Sequence, residues 1–157
     1  MEFKNLITLI IFSIVAFLFA FRYPTNKELE WYDWNEGYAL AQKNNKIILV
    51  DAYTDWCGWC KKMDKDTYAK QNIISYIDKH FVPIKFNPEL KQKYKVGENE
   101  IKPRELLGSL SGGQNIGYPT TFFLSLEKNQ VQMESGYKNA EQFMRILEEK
   151  VKWAKGK

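Results

Sequence analysis

The chain has 157 residues, enough for one domain with a sizeable core and for two only if both were very small. Apolar residues make up 45% of it and aromatics 15%, which excludes a disordered or collagen-like chain. Its 23 basic and 19 acidic side chains leave +4 without long runs, too weak a bias for the basic face of a nucleic-acid binder. Two cysteines exclude a disulfide-rich scaffold, and with a single histidine they cannot supply four ligands to structural zinc within one chain.

Leu6 to Phe21 is an uncharged run of 16 residues, broken only by Thr8 and Ser13, with Lys4 before it and Arg22 and Pro24 after it. A spanning helix wants about 20 apolar residues and a secretory signal core about 7–15, so cleaved signal and retained anchor both stay open. Ala16 and Ala20 have the wrong spacing for cleavage, and only Leu18-Phe19-Ala20 offers a weak site. A buried N-terminal helix is the lesser alternative, because the run is apolar all round rather than along one stripe. Residues 1–22 are therefore read as signal or anchor, and residues 30–155 as the folded domain. Either export reading puts residues 23–157 outside the cytoplasm.

Leu29 to Trp34 reads as an aromatic-rich linker. Asn35 to Lys43 has helical spacing of Trp34, Tyr38 and Ala41, with Asn44-Asn45 as its stop. Lys46 to Tyr53 is a short β-branched run, as expected for a strand covered on both faces, with Asp51 in its middle. Helices are expected from Cys57 to about Asp66 and from Gln71 to Lys79, the second burying Ile73, Ile74 and Ile77. His80 closes that helix, where a cation is favoured, and has no catalytic role in this reading. Phe81 to Phe86 is a strand. Glu89 to Tyr94 and Pro103 to Leu110 read as short helices, the second with proline in its first turn, and Ser111-Gly112-Gly113 as a loop. Thr120 to Leu126 and Val131 to Gly136 form an antiparallel pair about a turn, and Asn139 to Trp153 is an amphipathic helix with Phe143, Ile146, Leu147 and Val151 inward. Strands separated by helices and followed by a hairpin predict an α/β fold, a mixed central sheet with helices on both faces.

The chemistry concentrates in Trp56-Cys57-Gly58-Trp59-Cys60-Lys61-Lys62. Two cysteines three apart at a helix start can close a small disulfide. The first lies at the positive end of the helix, which favours a thiolate, and the second lies one turn inside, able to resolve a mixed disulfide. A structural disulfide or half of an intermolecular metal site is the bland alternative. Asp51 is either a buried acid or a solvated one at a strand end, and Lys85 either tunes it or is simply solvated. Trp31, Trp34 and Tyr38 read as packing residues. Trp56 and Trp59 flank the cysteines and read as surface positions.

Ile47-Ile48-Leu49-Val50-Asp51-Ala52-Tyr53 followed by Trp56-Cys57-Gly58-Trp59-Cys60-Lys61 resembles the active-site strand and helix of the thioredoxin family. Gly117-Tyr118-Pro119-Thr120-Thr121-Phe122-Phe123 resembles its second signature, a cis-proline before a core strand. The resemblance covers about residues 30–155 and is closest to exported bacterial thioredoxin-like proteins. It implies a thioredoxin fold, with Cys57 as attacking thiol and Cys60 as resolving thiol. Asp51 is then the buried acid that takes the resolving proton, and Lys85 a lysine that tunes it. Pro119 becomes the cis-proline facing the disulfide, with the Tyr118 backbone beside it to pair with an extended substrate, and Trp56 and Trp59 contact the substrate. Two departures stand out: Trp59 replaces the proline that thioredoxin carries between its cysteines, and residues 87–117 exceed its connection.

The function implied is an extracytoplasmic thiol–disulfide oxidoreductase of the bacterial periplasm or an equivalent oxidising compartment. Its redox group is the Cys57–Cys60 pair, with no metal and no organic cofactor. Its partners are client proteins with thiols or disulfides and a redox partner that resets the pair, with no nucleic acid and a possible membrane tether through residues 6–21. The rival reading is a non-catalytic thioredoxin-fold binding or assembly module tethered at the membrane.

Overall fold

A computed structural model of the protein describes residues 27–97 and 99–156. The hydrophobic run at 6–21, with its signal or anchor reading, lies outside the described residues. Among those described, no helix is long and apolar enough to cross a membrane.

Helix α1 (Trp34–Asn44) begins where the Asp33 side chain accepts the Glu36 N–H at 2.9 Å, and it ends at Asn45 in the left-handed conformation. Strand β1 (Ile47–Ala52), helix α2 (Gly58–Met63), a π-helical turn (Asp64–Tyr68), helix α3 (Gln71–His80) and strand β2 (Phe81–Phe86) follow. A small hairpin, β3 (Tyr94–Val96) with β4 (Asn99–Ile101), precedes α4 (Pro103–Ser111). Strands β5 (Thr120–Ser125) and β6 (Gln130–Ser135) then lead to α5 (Ala140–Ala154). Asn139 and Gln142 cap α5 reciprocally, each side chain accepting the other's backbone N–H, at 2.9 and 3.1 Å.

The main sheet has the order β2-β1-β5-β6, with β1 and β2 parallel and the other pairs antiparallel. Successive side chains of β1 point to opposite faces. Ile48, Val50 and Ala52 pack with Trp34 and Ala41 of α1 and Leu106 and Leu110 of α4. Leu49 packs on the other face with Met63 of α2, Ile73 and Ile77 of α3, and Phe143, Leu147 and Val151 of α5. Each fully buried Leu or Phe contributes about 1.5–3 kcal/mol relative to exposure, so both layers hold the sheet firmly. Asp51 shares the Leu49 side, which sets it beneath the helix that follows the cysteines. The predicted mixed sheet with helices on both faces is the observed one.

Three local expectations need correction. Glu89 to Tyr94 is not a helix: Tyr94 opens β3 and buries its ring 5.7 Å from Phe86 and 6.3 Å from Trp34. Trp34 Nε1 donates to the Lys95 carbonyl and the Lys95 N–H to Asn35 Oδ1, so long-range bonds hold extended a segment whose local spacing allowed a helix. The helix expected to about Asp66 does pass that residue, but its α pattern ends at Met63 and continues as a π turn, the Ala69 N–H reaching the Asp64 carbonyl five residues back. The supposed linker at 29–34 is a tertiary element. Tyr32 bridges Ile84 on the free edge of β2, donating its N–H to the Pro83 carbonyl and accepting the N–H of Lys85. Pro83 is tolerated within β2 because that strand lies at the sheet edge.

Candidate active site

Tyr53 to Trp56 carry the chain out of β1, and the Cys57 N–H donates to the Thr54 carbonyl at 3.1 Å. Cys57 then caps α2, its Sγ accepting the Cys60 N–H at 3.0 Å. Cys57 and Cys60 are joined by a disulfide, with Sγ–Sγ 2.02 Å. In this form both are buried, at 4% and 3% exposure, so the accessible attacking thiol expected at Cys57 is not visible as a difference in exposure. What separates them is position: one is the cap and the other lies inside the helix.

Register brings the next residues together. Asp51 stands opposite Lys85 on β2 and Thr121 on β5. It is 1% exposed, so it is the buried acid and not a solvated one at a strand end. Lys85 Nζ donates to Asp51 Oδ2 at 2.6 Å and to Asp64 Oδ1 at 2.5 Å. The rings of Trp31, Tyr53 and Tyr68 surround the ammonium at 4.7, 5.0 and 5.5 Å. Asp51 Oδ1 has no hydrogen-bond partner, and burial raises the pKa of Asp51 against the pull of Lys85. For Lys85 burial works in the lowering direction, but the carboxylates of Asp51 and Asp64 outweigh it and the ammonium is held above its usual value. Tyr68, also fully buried, is pushed well above the ordinary tyrosine value by burial and by Asp51.

The rim of the site is aromatic. Trp56 is 68% exposed and Trp59 59%, as expected of surface positions. The Trp56 ring meets Tyr118 edge-on at 5.9 Å, and its Nε1 donates to Glu89 at 3.1 Å. Trp59 leans on Tyr137 at 5.5 Å. The Tyr118–Pro119 peptide bond is cis, and the following strand pairs Thr120 with Ala52 of β1. Asp51, Trp56, Cys57, Trp59, Cys60, Lys85, Tyr118 and Pro119 thus lie at one end of the sheet or directly beneath it. His80 lies elsewhere, at the end of α3, where burial and Lys79, Lys155 and Lys46 lower its pKa rather than favour the cation. Among the described residues no cluster of three or more His, Cys, Asp or Glu could hold a metal.

Asp64, Tyr68 and Glu89 are not singled out in the sequence as site residues, and Trp31 reads there as packing alone. Asp64 had a signal, since it follows Cys60 by four residues and so shares its side of the helical path. The others had none, because their partners lie 17 to 54 positions away in regions with no shared motif.

The family described as Thioredox_DsbH, protein of unknown function, DUF255, matches residues 20–153. The chain belongs to this family. The thiol:disulfide interchange protein DsbD of Tatumella citrea is 28% identical over 110 residues, which are 69% of this chain and 17% of that protein. Spermatogenesis-associated protein 20 of Homo sapiens is 29% identical over 62 residues, 39% of this chain and 8% of that protein. The chain therefore spans only a small part of the length of these relatives. In three dimensions it resembles a thioredoxin from Thermus thermophilus with TM-score 0.60 at 18% identity, over 78% of this chain and 87% of that one. It resembles a DsbH oxidoreductase equally, with TM-score 0.60 at 15% identity over 83% and 90%. Identities this low establish the fold alone. It is a thioredoxin fold carrying a C-x-x-C pair, in a chain related to DsbD and DsbH.

Proposed function

We propose that this protein is a thiol–disulfide oxidoreductase that reduces or exchanges disulfides of client proteins through Cys57 and Cys60. The observation that carries the reading is the cysteine pair at the start of α2, on the sheet end whose next layer holds Asp51 against Lys85. A structural staple does not require an ionisable acid buried at its foot, since such a group costs free energy to keep there. The relative named a thiol:disulfide interchange protein adds support.

In the reduced protein the Cys57 thiolate attacks one sulfur of a client disulfide. A Cys57–client bond forms, the client S–S bond breaks, and one client thiolate leaves with the electron pair and takes up a proton. Asp51, ionised, accepts the proton of the Cys60 thiol, and the resulting thiolate attacks Cys57 Sγ. The Cys57–Cys60 bond forms, and the second client thiolate leaves with the electron pair. It takes up a proton as Asp51 gives up the one it accepted, the first client thiol having drawn its proton from the solution that received the one lost by Cys57. Two electrons and two protons have passed to the client, and a dithiol donor must return them. In this reading Tyr118 and Pro119 shape the docking groove, Trp56 and Trp59 border it, and the redox group is the cysteine pair itself. Export, to a periplasm or an equivalent oxidising compartment, is part of the proposal and rests on the apolar run at residues 6–21.

Reduction of insulin disulfides by dithiothreitol should be accelerated by the wild-type chain and not by Cys57→Ser. No acceleration by wild type would sink the enzymatic reading and leave a binding or assembly module. Fusing alkaline phosphatase after the first 30 residues should yield active, exported enzyme in a bacterial host, and an inactive fusion retained in the cytoplasm would remove export from the proposal.

A further inference from the structure

Residues 88–93 and 102–104 line a cleft of about 360 Å³ with an apolar floor of Pro88, Leu90 and Pro103. Leu90 is among the few large apolar side chains left exposed in the described residues, as are Trp56 and Trp59 of the active-site rim. The cleft adjoins that rim. Glu89 lines it and holds the Trp56 indole, and Arg104, also in its wall, is near enough to Tyr118 for its charge to act on the phenol.

The charge on this wall is one-sided. Among the described residues, Lys91, Lys93, Lys102 and Arg104 line it against the single carboxylate of Glu89. The acids nearby are already engaged: Glu89 by Trp56, Glu100 by Lys93, and Glu105 by the Lys102 backbone N–H. Lys91, Lys102 and Arg104 have no acidic partner among the described residues. A solvated lysine surface would explain scattered cations. It does not explain an apolar floor edged by three cations without an acidic partner among the described residues, beside Trp56 of the active-site rim.

We propose that this cleft receives an acidic-apolar stretch of the client polypeptide, its apolar side chain on the Pro88–Leu90–Pro103 floor and its carboxylates against Lys91, Lys102 and Arg104. The proposal rests on the oxidoreductase reading and deepens it, because it names the kind of client the site selects. Residues 87–117 then act as a specificity arm beside a groove that handles the disulfide. Exposed ion pairs are individually weak, so three together amount to roughly tenfold in preference, screened by salt.

The test uses the reduced full chain and two synthetic peptides, each closed by one disulfide and identical except for a Glu-Leu-Glu or a Lys-Leu-Lys segment. A second pair carries the segment on the other side of the cysteines. Hydroxyethyl disulfide, small and neutral, reports the cysteine chemistry alone. The expected result is a kcat/KM roughly tenfold higher for the acidic peptide of at least one pair, shrinking at high salt. The preference should vanish or invert in the Lys91→Glu/Lys102→Glu/Arg104→Glu variant. Equal rates within both peptide pairs while hydroxyethyl disulfide is reduced would overturn the cleft and leave the oxidoreductase reading standing. No reduction of any of the five substrates would overturn that reading, and the cleft proposal with it. A variant that alters only sedimentation, with no peptide preference in wild type, would assign the cleft to contacts between copies and overturn it too.

Discussion

Lys85 faces Asp51 across the β1–β2 register, its Nζ 2.6 Å from Asp51 Oδ2 and 2.5 Å from Asp64 Oδ1. One ammonium thus serves two carboxylates, one buried and one partly exposed. Lys85 therefore has a second partner in Asp64 besides Asp51. Asp51 has no such reserve, since its other oxygen is unbonded.

That asymmetry decides the effect of Asp51→Asn on stability. Losing one member of a buried ion pair ordinarily costs about 3–5 kcal/mol, because the survivor is stranded. Here the survivor retains Asp64 and three aromatic rings. An acid whose folded pKa is raised stabilises most below its unfolded value, near 3.8 for Asp51, and stability falls as pH rises through the folded value. The advantage of Asp51→Asn over wild type should therefore grow with pH from about 4 upward, reaching on the order of 1–3 kcal/mol near neutrality. Urea unfolding of both proteins across that range measures it, and a constant difference would contradict the buried-acid account.

Lys85→Met should act in the opposite sense on chemistry. The lysine charge pulls the Asp51 pKa down against burial, so its loss lets that pKa rise further. With Asp51 as acceptor of the Cys60 proton, the pH profile of client reduction should move in the alkaline direction. An unmoved profile with a lower plateau would reduce Lys85 to a structural role.

The two cysteines should behave differently despite similar burial. Cys60→Ser should accumulate mixed disulfides with clients and Cys57→Ser should accumulate none, as read on non-reducing gels. Iodoacetamide should label Cys57 first in the reduced protein, because the helix start favours its thiolate. Faster labelling of Cys60 would reverse the assignment.

Two glycines test the packing. A Cβ at Gly37 in α1 would lie 2.4 Å from Ile84 Cγ1 and 3.2 Å from Tyr32 Cβ, in the core between α1 and β2. Gly37→Ala should destabilise by about 1–3 kcal/mol, overpacking outweighing the gain in helix propensity. Gly108 in α4 has nothing within 4 Å of such a Cβ, so Gly108→Ala should stabilise by about 0.5–1 kcal/mol. The shift in urea midpoint of each variant gives the sign directly.

The sequence alone determined the elements whose patterns are local. The apolar run of β1, the amphipathic spacing of α3 and α5 and the β5–β6 turn follow from residue spacing and turn chemistry, and they were legible. The cysteine pair and Pro119 could be found by motif. Tertiary structure alone decided which groups meet Asp51, because the register that sets it against Lys85 and Thr121 depends on how whole strands pair. It decided the fate of residues 89–101 as well, where the burial of Tyr94 and the bonds from Trp34 and Asn35 outweigh a weak local preference for helix. The π turn at Asp64–Tyr68 has the same origin: Thr67 donates to the Lys138 carbonyl across 71 residues, and Asp64 is drawn to Lys85. Contacts between distant segments leave no period in a sequence, so only the folded chain reveals them.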